Sequence, residues 1–283
     1  MKSQFRKIVY IFLFVFHSAT AEDKNLTAQQ IIQNVINQQV KEPYIYQELV
    51  MLLIDDKQKK DTRKLRFYCK SSDTETKMLL AIDSPEETRG VALRAKIDHL
   101  KQTEQYHLYL PNLDKGLLKT GIAGRSDNIF GSDLSALDFL PEQIEKFTYK
   151  KLKNSIIEDV EYWNIEASPI VKEDVPDSYS KRILQIKKDH LLITQIKYFN
   201  NQNQLIKTKT SHEYKKIISG HWQPSMILVE NHQKKHKTLV KTEKHLYSAD
   251  YVNDAIFTDN WIKNNNHLMP TEEMLYKLGN NSK

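Results

Sequence analysis

The residues able to do chemistry are present but poorly arranged for it. His232 and His236 stand four apart, the spacing at which a helix offers two imidazoles to zinc. They lie in the polar, lysine-rich stretch from Asn231 to Lys237, which reads as a hairpin turn and not a helix, so a solvated basic turn is expected there and no metal site. Ser178-Tyr-Ser-Lys181 and Lys119-Thr-Gly121 match S-x-x-K and K-T-G, a pairing in which lysine activates a serine nucleophile. Their order is reversed, and the serine precedes a strand instead of opening a helix. No G-x-S-x-G occurs. Asp133 and Asp138 form a carboxylate pair, and glycoside hydrolysis needs two facing carboxylates in a cleft. Five positions apart beside a short helix, these two are expected to cap and bond locally. Cys69 alternates with Leu65 and Phe67 and is read as a buried structural thiol. No catalytic residue, metal or cofactor follows from these patterns.

Composition narrows the classes further. The chain has 283 residues, 40% hydrophobic and 28% charged, enough to bury a core. Only seven glycines occur, with no G-x-G and no P-loop, which disfavours nucleotide-binding architectures. One cysteine excludes an internal disulfide framework. Lys2, Arg6 and Lys7 precede the apolar run Ile8–Phe16 and the small-residue site Ala19-Thr-Ala21, the pattern of a cleaved secretory signal over residues 1–21. Nine residues of helix reach ~14 Å, short of a ~30 Å hydrocarbon core. The formal charge of +6 falls to +3 without those three cations. Export argues against nucleic acid as a partner. The basic runs Lys57–Arg66 and Lys234–Lys241 read as solvated strand ends that guard sheet edges, with weak attraction to anionic headgroups as the alternative.

The elements that must position these groups are mostly strands. Thr27 and Gln30 form a capping box, and Ile31, Ile32, Val35, Ile36 and Val40 make one apolar stripe, so a helix opens the mature chain. After Pro43 the period becomes two. Eleven strands are predicted: 44–54, 62–70, 76–82, 91–97, 105–110, 158–167, 179–187, 191–199, 205–215, 222–230 and 238–247. Short polar turns between them predict antiparallel meanders, and about eleven strands predict one large, curved sheet. Four of the seven glycines, Gly116, Gly121, Gly124 and Gly131, crowd into residues 111–140. Ser132 or Asp133 is expected to cap a short helix there carrying Leu134, Leu137 and Phe139. Both helical pieces need apolar surface to cover, and the concave face of the sheet is the surface expected to supply it.

Several segments carry a resemblance. Ser84-Pro85-Glu-Glu-Thr-Arg89-Gly90-Val-Ala92-Leu93 resembles an S-P-x-x-x-x-G-x-A-L segment, and His107-Leu-Tyr109-Leu110-Pro111 a Y-x-P strand end. Phe130-Gly131-Ser132-Asp133-Leu134-Ser135-Ala136-Leu137-Asp138 is similar to F-x-G-S-D-F-S-x-x-D, and Gly220-His-Trp222-Gln-Pro224 to G-x-W-x-P, with Phe257-Thr258 closing the series. In this order and spacing the segments resemble the outer-membrane lipoprotein-sorting proteins of the LolA-like superfamily, from about residue 30 to 262. Leu134 replaces a usual aromatic, and residues 263–283 lie beyond the likeness and are expected to form a loose tail.

The resemblance implies a mainly β (α+β) fold, a half-open, strongly curved antiparallel β-barrel with helices plugging its concave face. It spans residues 22–283 as a single domain. It also implies a periplasmic carrier that holds the acyl chains of lipoproteins or lipids, works beside an inner-membrane transporter and touches membranes transiently. A lipid-sensing module acting on a membrane protein is the alternative on the same fold. Candidate cavity residues on the matched strands are Leu53, Leu80, Leu93, Leu108, Leu110, Ile196, Trp222 and Ile227. On the plug they are Phe130, Leu134, Leu137 and Phe139. Gly90 and Gly131 are read as backbone requirements, Arg89 and Asp133 as a pair holding the loop, and Asp138 as a further structural residue of the motif.

Overall fold

The computed structural model describes residues 26–39, 42–111, 117–120, 128–140, 142–170, 179–217 and 220–280. The signal segment, Gly116, Gly121, Gly124, Ser178 and the last three residues lie outside them. Helix α1 spans Ala28–Gln39. Its capping box forms as read: Thr27 N donates to Gln30 Oε1 at 2.8 Å, and Gln30 N to Thr27 Oγ1 at 3.2 Å. These bonds satisfy amides that have no partner inside the helix.

The rest is one antiparallel sheet. Its first six strands are β1 (Tyr44–Ile54), β2 (Lys60–Ser71), β3 (Glu75–Ser84), β4 (Ala92–Asp98), β5 (Thr103–Tyr109) and β6 (Leu117–Thr120). Four follow as β7 (Phe147–Lys151), β8 (Ser155–Ile157), β9 (Val160–Pro169) and β10 (Lys181–Lys187). The last four are β11 (Leu192–Phe199), β12 (Leu205–Lys216), β13 (Trp222–Asn231) and β14 (His236–Leu246). The count of eleven is therefore corrected to fourteen among the described residues. The three additions, β6, β7 and β8, are short and sit at or beside the sheet's edges, where few neighbours stabilise a strand.

The order is β6-β5-β4-β3-β2-β1-β14-β13-β12-β11-β10-β9-β7, with β8 on β9. Two meanders are thus sewn together at the centre by the first and last strands, with Tyr46 opposite Leu246 and Ile54 opposite Lys237. The sheet is curved and not closed: β6 and β7, its two rims, do not pair with each other. The chain between those rims therefore has to cross the open side. Residues 128–140 do so as two 3-10 turns, Ile129–Gly131 and Ala136–Phe139, the second falling within the expected short helix. The cap is Ser135, not Ser132 or Asp133: Asp138 Oδ2 accepts from the Ser135 amide at 2.9 Å in a local capping box.

Three apolar clusters hold the layers. On the concave side of β1–β5, Leu49, Met51, Phe67, Met78, Leu80 and Leu93 pack beneath Ile129, Leu134 and Ala136. On the concave side of β9–β12, Ile31, Ile32 and Val35 of α1 cover Trp163, Ile165, Leu184 and Ile186. The third cluster is on the convex side, where Tyr46, Tyr68, Leu79 and Ala81 meet Val252, Ile256, Trp261 and Ile262. The concave face is therefore not the only apolar surface that is covered. Helices α2 (Asp259–Lys263) and α3 (Thr271–Asn280) belong to this outer layer, and Met274 and Leu278 of α3 are buried in it. His267 Nε2 lies 3.0 Å from the carbonyl oxygen of Gly90, which stands at φ +86° where a Cβ would meet Pro111 Cγ at 3.0 Å. The segment after Trp261, expected as a loose tail, is thus packed against the sheet through Leu278.

Candidate functional site

Between the two concave clusters the protein leaves a cavity of about 370 Å³. That lies in the range of small-molecule sites, ~300–1,000 Å³. Its apolar wall is built by the strands that alternate inward: Ile45 and Leu49 on β1, Phe67 and Cys69 on β2, Val240 on β14, Ile227 on β13 and Ile196 on β11. Leu137, Phe139 and Leu140, from the segment that joins the two rims, border it as well. That segment has two unlike halves. Residues 132–136 are buried, whereas residues 137–140 are only half-buried and edge the cavity. The buried half is tied by Asp133, whose amide donates to Thr238 Oγ1 at 3.0 Å. Its carboxylate accepts from Thr238 Oγ1 and Asn231 Nδ2, each at 3.0 Å, and bonds His236 Nδ1.

Part of the lining is charged. Lys209 Nζ donates to Asp138 Oδ1 at 2.8 Å, and Arg182 pairs with Glu142 while lying 4.1 Å over the Phe147 ring. Tyr149 donates its hydroxyl to the same Glu142 at 3.2 Å. Lys207 lies 4.3 Å from the centre of the Tyr198 ring and 3.5 Å from the Asp133 carbonyl oxygen. Burial alone would raise the Asp138 carboxyl, but Lys209, Lys207 and the Ser135 amide outweigh it and hold that carboxyl well below its ordinary range. Burial works against the Arg182 cation too, and Glu142 more than restores it. Lys207 ends lower than an ordinary lysine, because burial, aided by Lys209 and Arg182, outweighs Asp138. Burial pushes the Cys69 thiol up to about 11, so it stays protonated at neutral pH, as a packing thiol would.

Of the residues singled out from the sequence, the structure brings Leu137, Phe139, Ile196, Trp222 and Ile227 together around the cavity, with Asp138 at its charged side. Leu53, Leu80, Leu93 and Leu134 are buried in the first concave cluster, and Phe130 packs against it. Leu108 and Leu110 are half-buried at the end of β5, apart from the lining. Arg89 meets Glu86 at 3.5 Å, not Asp133, whose partners lie on β13 and β14. Gly131 stands at φ +69°, the left-handed conformation that glycine adopts without a Cβ clash. Sequence reasoning missed Arg182, Glu142, Lys207, Lys209 and Tyr198. The available signal was the alternation in Ile206-Lys207-Thr208-Lys209, which puts both lysines on one face, but such a face ordinarily reads as solvated. Among the described residues no helix is long and apolar enough to cross a membrane.

Comparison with known proteins bears on the architecture. None of the curated proteins matches the sequence. The structure superimposes on a domain described as outer membrane lipoprotein-sorting, from Vibrio parahaemolyticus, with TM-score 0.74 and 21% identity, covering 83% of this chain and 98% of that one. A DUF1329 family protein from Desulfovibrio piger gives 0.72 and 20%, covering 83% and 97%. A LolA superfamily protein from Nitrosomonas europaea gives 0.64 and 14%, covering 83% and 99%. At these identities the likeness is one of fold. A family model described as "-like: Uncharacterized protein" matches residues 74–264, more than half of the sequence. The resemblance read from the motifs is matched at the level of fold, and the chain belongs to the family which that model describes.

Proposed function

We propose that this protein is a periplasmic carrier that takes up acyl chains of lipoproteins or lipids and hands them on toward the outer membrane. The observation that supports it is the cavity of about 370 Å³ between two separate concave clusters, bordered by residues 137–140. A ~16-carbon chain in water costs on the order of 12 kcal/mol, at ~0.8 kcal/mol per CH₂, so it does not cross an aqueous gap unaided. A carrier offsets much of that cost and still has to release the chain. Leu137 and Phe139 serve both needs: they cover apolar wall when the cavity is empty and yield part of that wall to a guest. Competition for one surface keeps the net affinity moderate. Ile196, Trp222 and Ile227 are the wall that receives the chain, and an inner-membrane transporter is the partner that would load or unload it.

The test is transfer. Purified protein loaded with a fluorescent phospholipid should deliver it to acceptor vesicles faster than the lipid transfers alone. Leu137→Glu, which puts a charge at the cavity border, should lower uptake about tenfold while leaving the far-ultraviolet circular dichroism unchanged. A folded protein that takes up no acyl-chain probe, together with envelope-purified protein whose native mass spectrum carries no lipid, would overturn the proposal.

A further inference from the structure

Three cations line the cavity, and two of them have a carboxylate of their own. Arg182 has Glu142 and Lys209 has Asp138. Lys207, two residues before Lys209 on the same strand, has no carboxylate within 4.0 Å among the described residues. It has instead one long contact to a backbone carbonyl and the face of a tyrosine ring. The nearby Asp133 carboxylate is already engaged by Thr238, Asn231 and His236. A partly desolvated ammonium without a carboxylate in bonding reach is costly, and so are polar atoms buried without partners. Two such atoms, Arg182 Nε and Gln143 Oε1, belong to residues that line this same cavity. Next to an apolar wall, the lining therefore offers an ammonium that no described carboxylate bonds and, in Arg182 Nε, a donor without a partner.

Resting on the acyl-carrier reading, we infer that the ligand is an anionic amphiphile whose acidic group, a carboxylate or a phosphate, pairs with Lys207 while its chain lies along the wall formed by Ile196, Ile227 and Leu137. The groups facing Lys207 are Lys209 on its own strand, Asp133 and Asp138 from the crossing segment, Arg182 on β10, Glu142 beyond the segment and Tyr198 on β11. Burial and the two neighbouring cations hold Lys207 below an ordinary lysine, and an added anion pushes in the opposite direction. Binding of an acid therefore favours the protonated amine, and affinity falls as alkaline pH removes that proton.

Calorimetry with three single-chain probes tests this: oleate, lysophosphatidylglycerol and methyl oleate. At least one acid should bind ten- to a hundredfold more tightly than the methyl ester, the size of a charge-assisted hydrogen bond. Preference for oleate assigns the site to a free fatty acid, and preference for the lysophospholipid assigns it to a phosphate headgroup. Lys207→Gln should cut the preference below threefold, and Lys207→Arg should restore it. In the unaltered protein the preference should shrink as pH rises, a readout that does not depend on the variants folding. Equal affinity for ester and acids, or a preference that survives Lys207→Gln, overturns the inference and leaves the acyl-carrier reading standing. Binding of none of the three by folded protein overturns both.

Discussion

Strand β3 and strand β10 lie in the same sheet and are buried differently. In β3 the run Met78–Ile82 is buried without a break, because the crossing segment packs against Leu80 and the C-terminal layer against Leu79 and Ala81. In β10 burial alternates: Arg182, Leu184 and Ile186 are covered, and the residues between them are half-exposed. A strand covered on both faces reads as a continuous apolar run, and one covered on a single face alternates. One half of the molecule is thus a filled sandwich, and the other has a single covered face. The cavity lies where the two concave clusters fail to meet, so empty space is tolerated next to the half that carries fewer packing demands. Charged side chains sit there for the same reason: the wall has room to bring Glu142 to Arg182 and Asp138 to Lys209.

The sharpest way to break this contrast is to remove a charge on the cavity side. Asp138→Ala deletes the partner of Lys209 and the cap of the Ala136–Phe139 turn, and should cost about 3–5 kcal/mol in urea unfolding. Because the folded state holds this carboxyl below its ordinary value, its stabilisation is complete above the unfolded value of about 4 and is lost as pH falls below it. The unaltered protein should therefore destabilise steeply in acid, and the variant less so. A variant as stable as its parent would show that this side bears no load. A paired truncation is next. Leu80→Ala, in the filled half, should cost about 3 kcal/mol, and Ile227→Ala, which already borders open space, about 1 kcal/mol. Equal losses would erase the distinction. An effect as small as that at Ile227 is expected at the helix cap: Thr27→Ala should cost about 1 kcal/mol. Amide exchange should quicken in α1 and remain unchanged in β3, since the cap serves only the layer over β9–β12.

The same contrast explains how much could be read in advance. All eleven strands expected from period-two patterning are present, and β1 matches residue for residue, because alternation and polar turns are local signals. The missed strands are the ones whose pairing is decided by neighbours. Phe147–Lys151 is a strand because β9 lies beside it, and Leu117–Thr120 has only β5. The C-terminal layer shows Met274 and Leu278 one helical turn apart, but nothing local says which face of the sheet they meet. The apolar part of the cavity was partly legible in Leu137, Phe139, Ile196, Trp222 and Ile227. Its charges were not. Lys209 finds Asp138 across 71 positions and Arg182 finds Glu142 across 40, and no window of sequence distinguishes such lysines and arginines from solvated ones.

Among the described residues, the segment crossing between the rims contributes no rung to the ladder. Its backbone bonds close within its own turns, as from Ser132 N to Ile129 O, or reach side chains such as Thr238. Lifting residues 137–140 outward would therefore unzip nothing: the scaffold keeps every one of its inter-strand hydrogen bonds whether the doorway is shut or ajar. The bonds that do hold this edge are few, the Lys209–Asp138 pair and the Ser135 capping box, so opening is set by those contacts and not by the ladder.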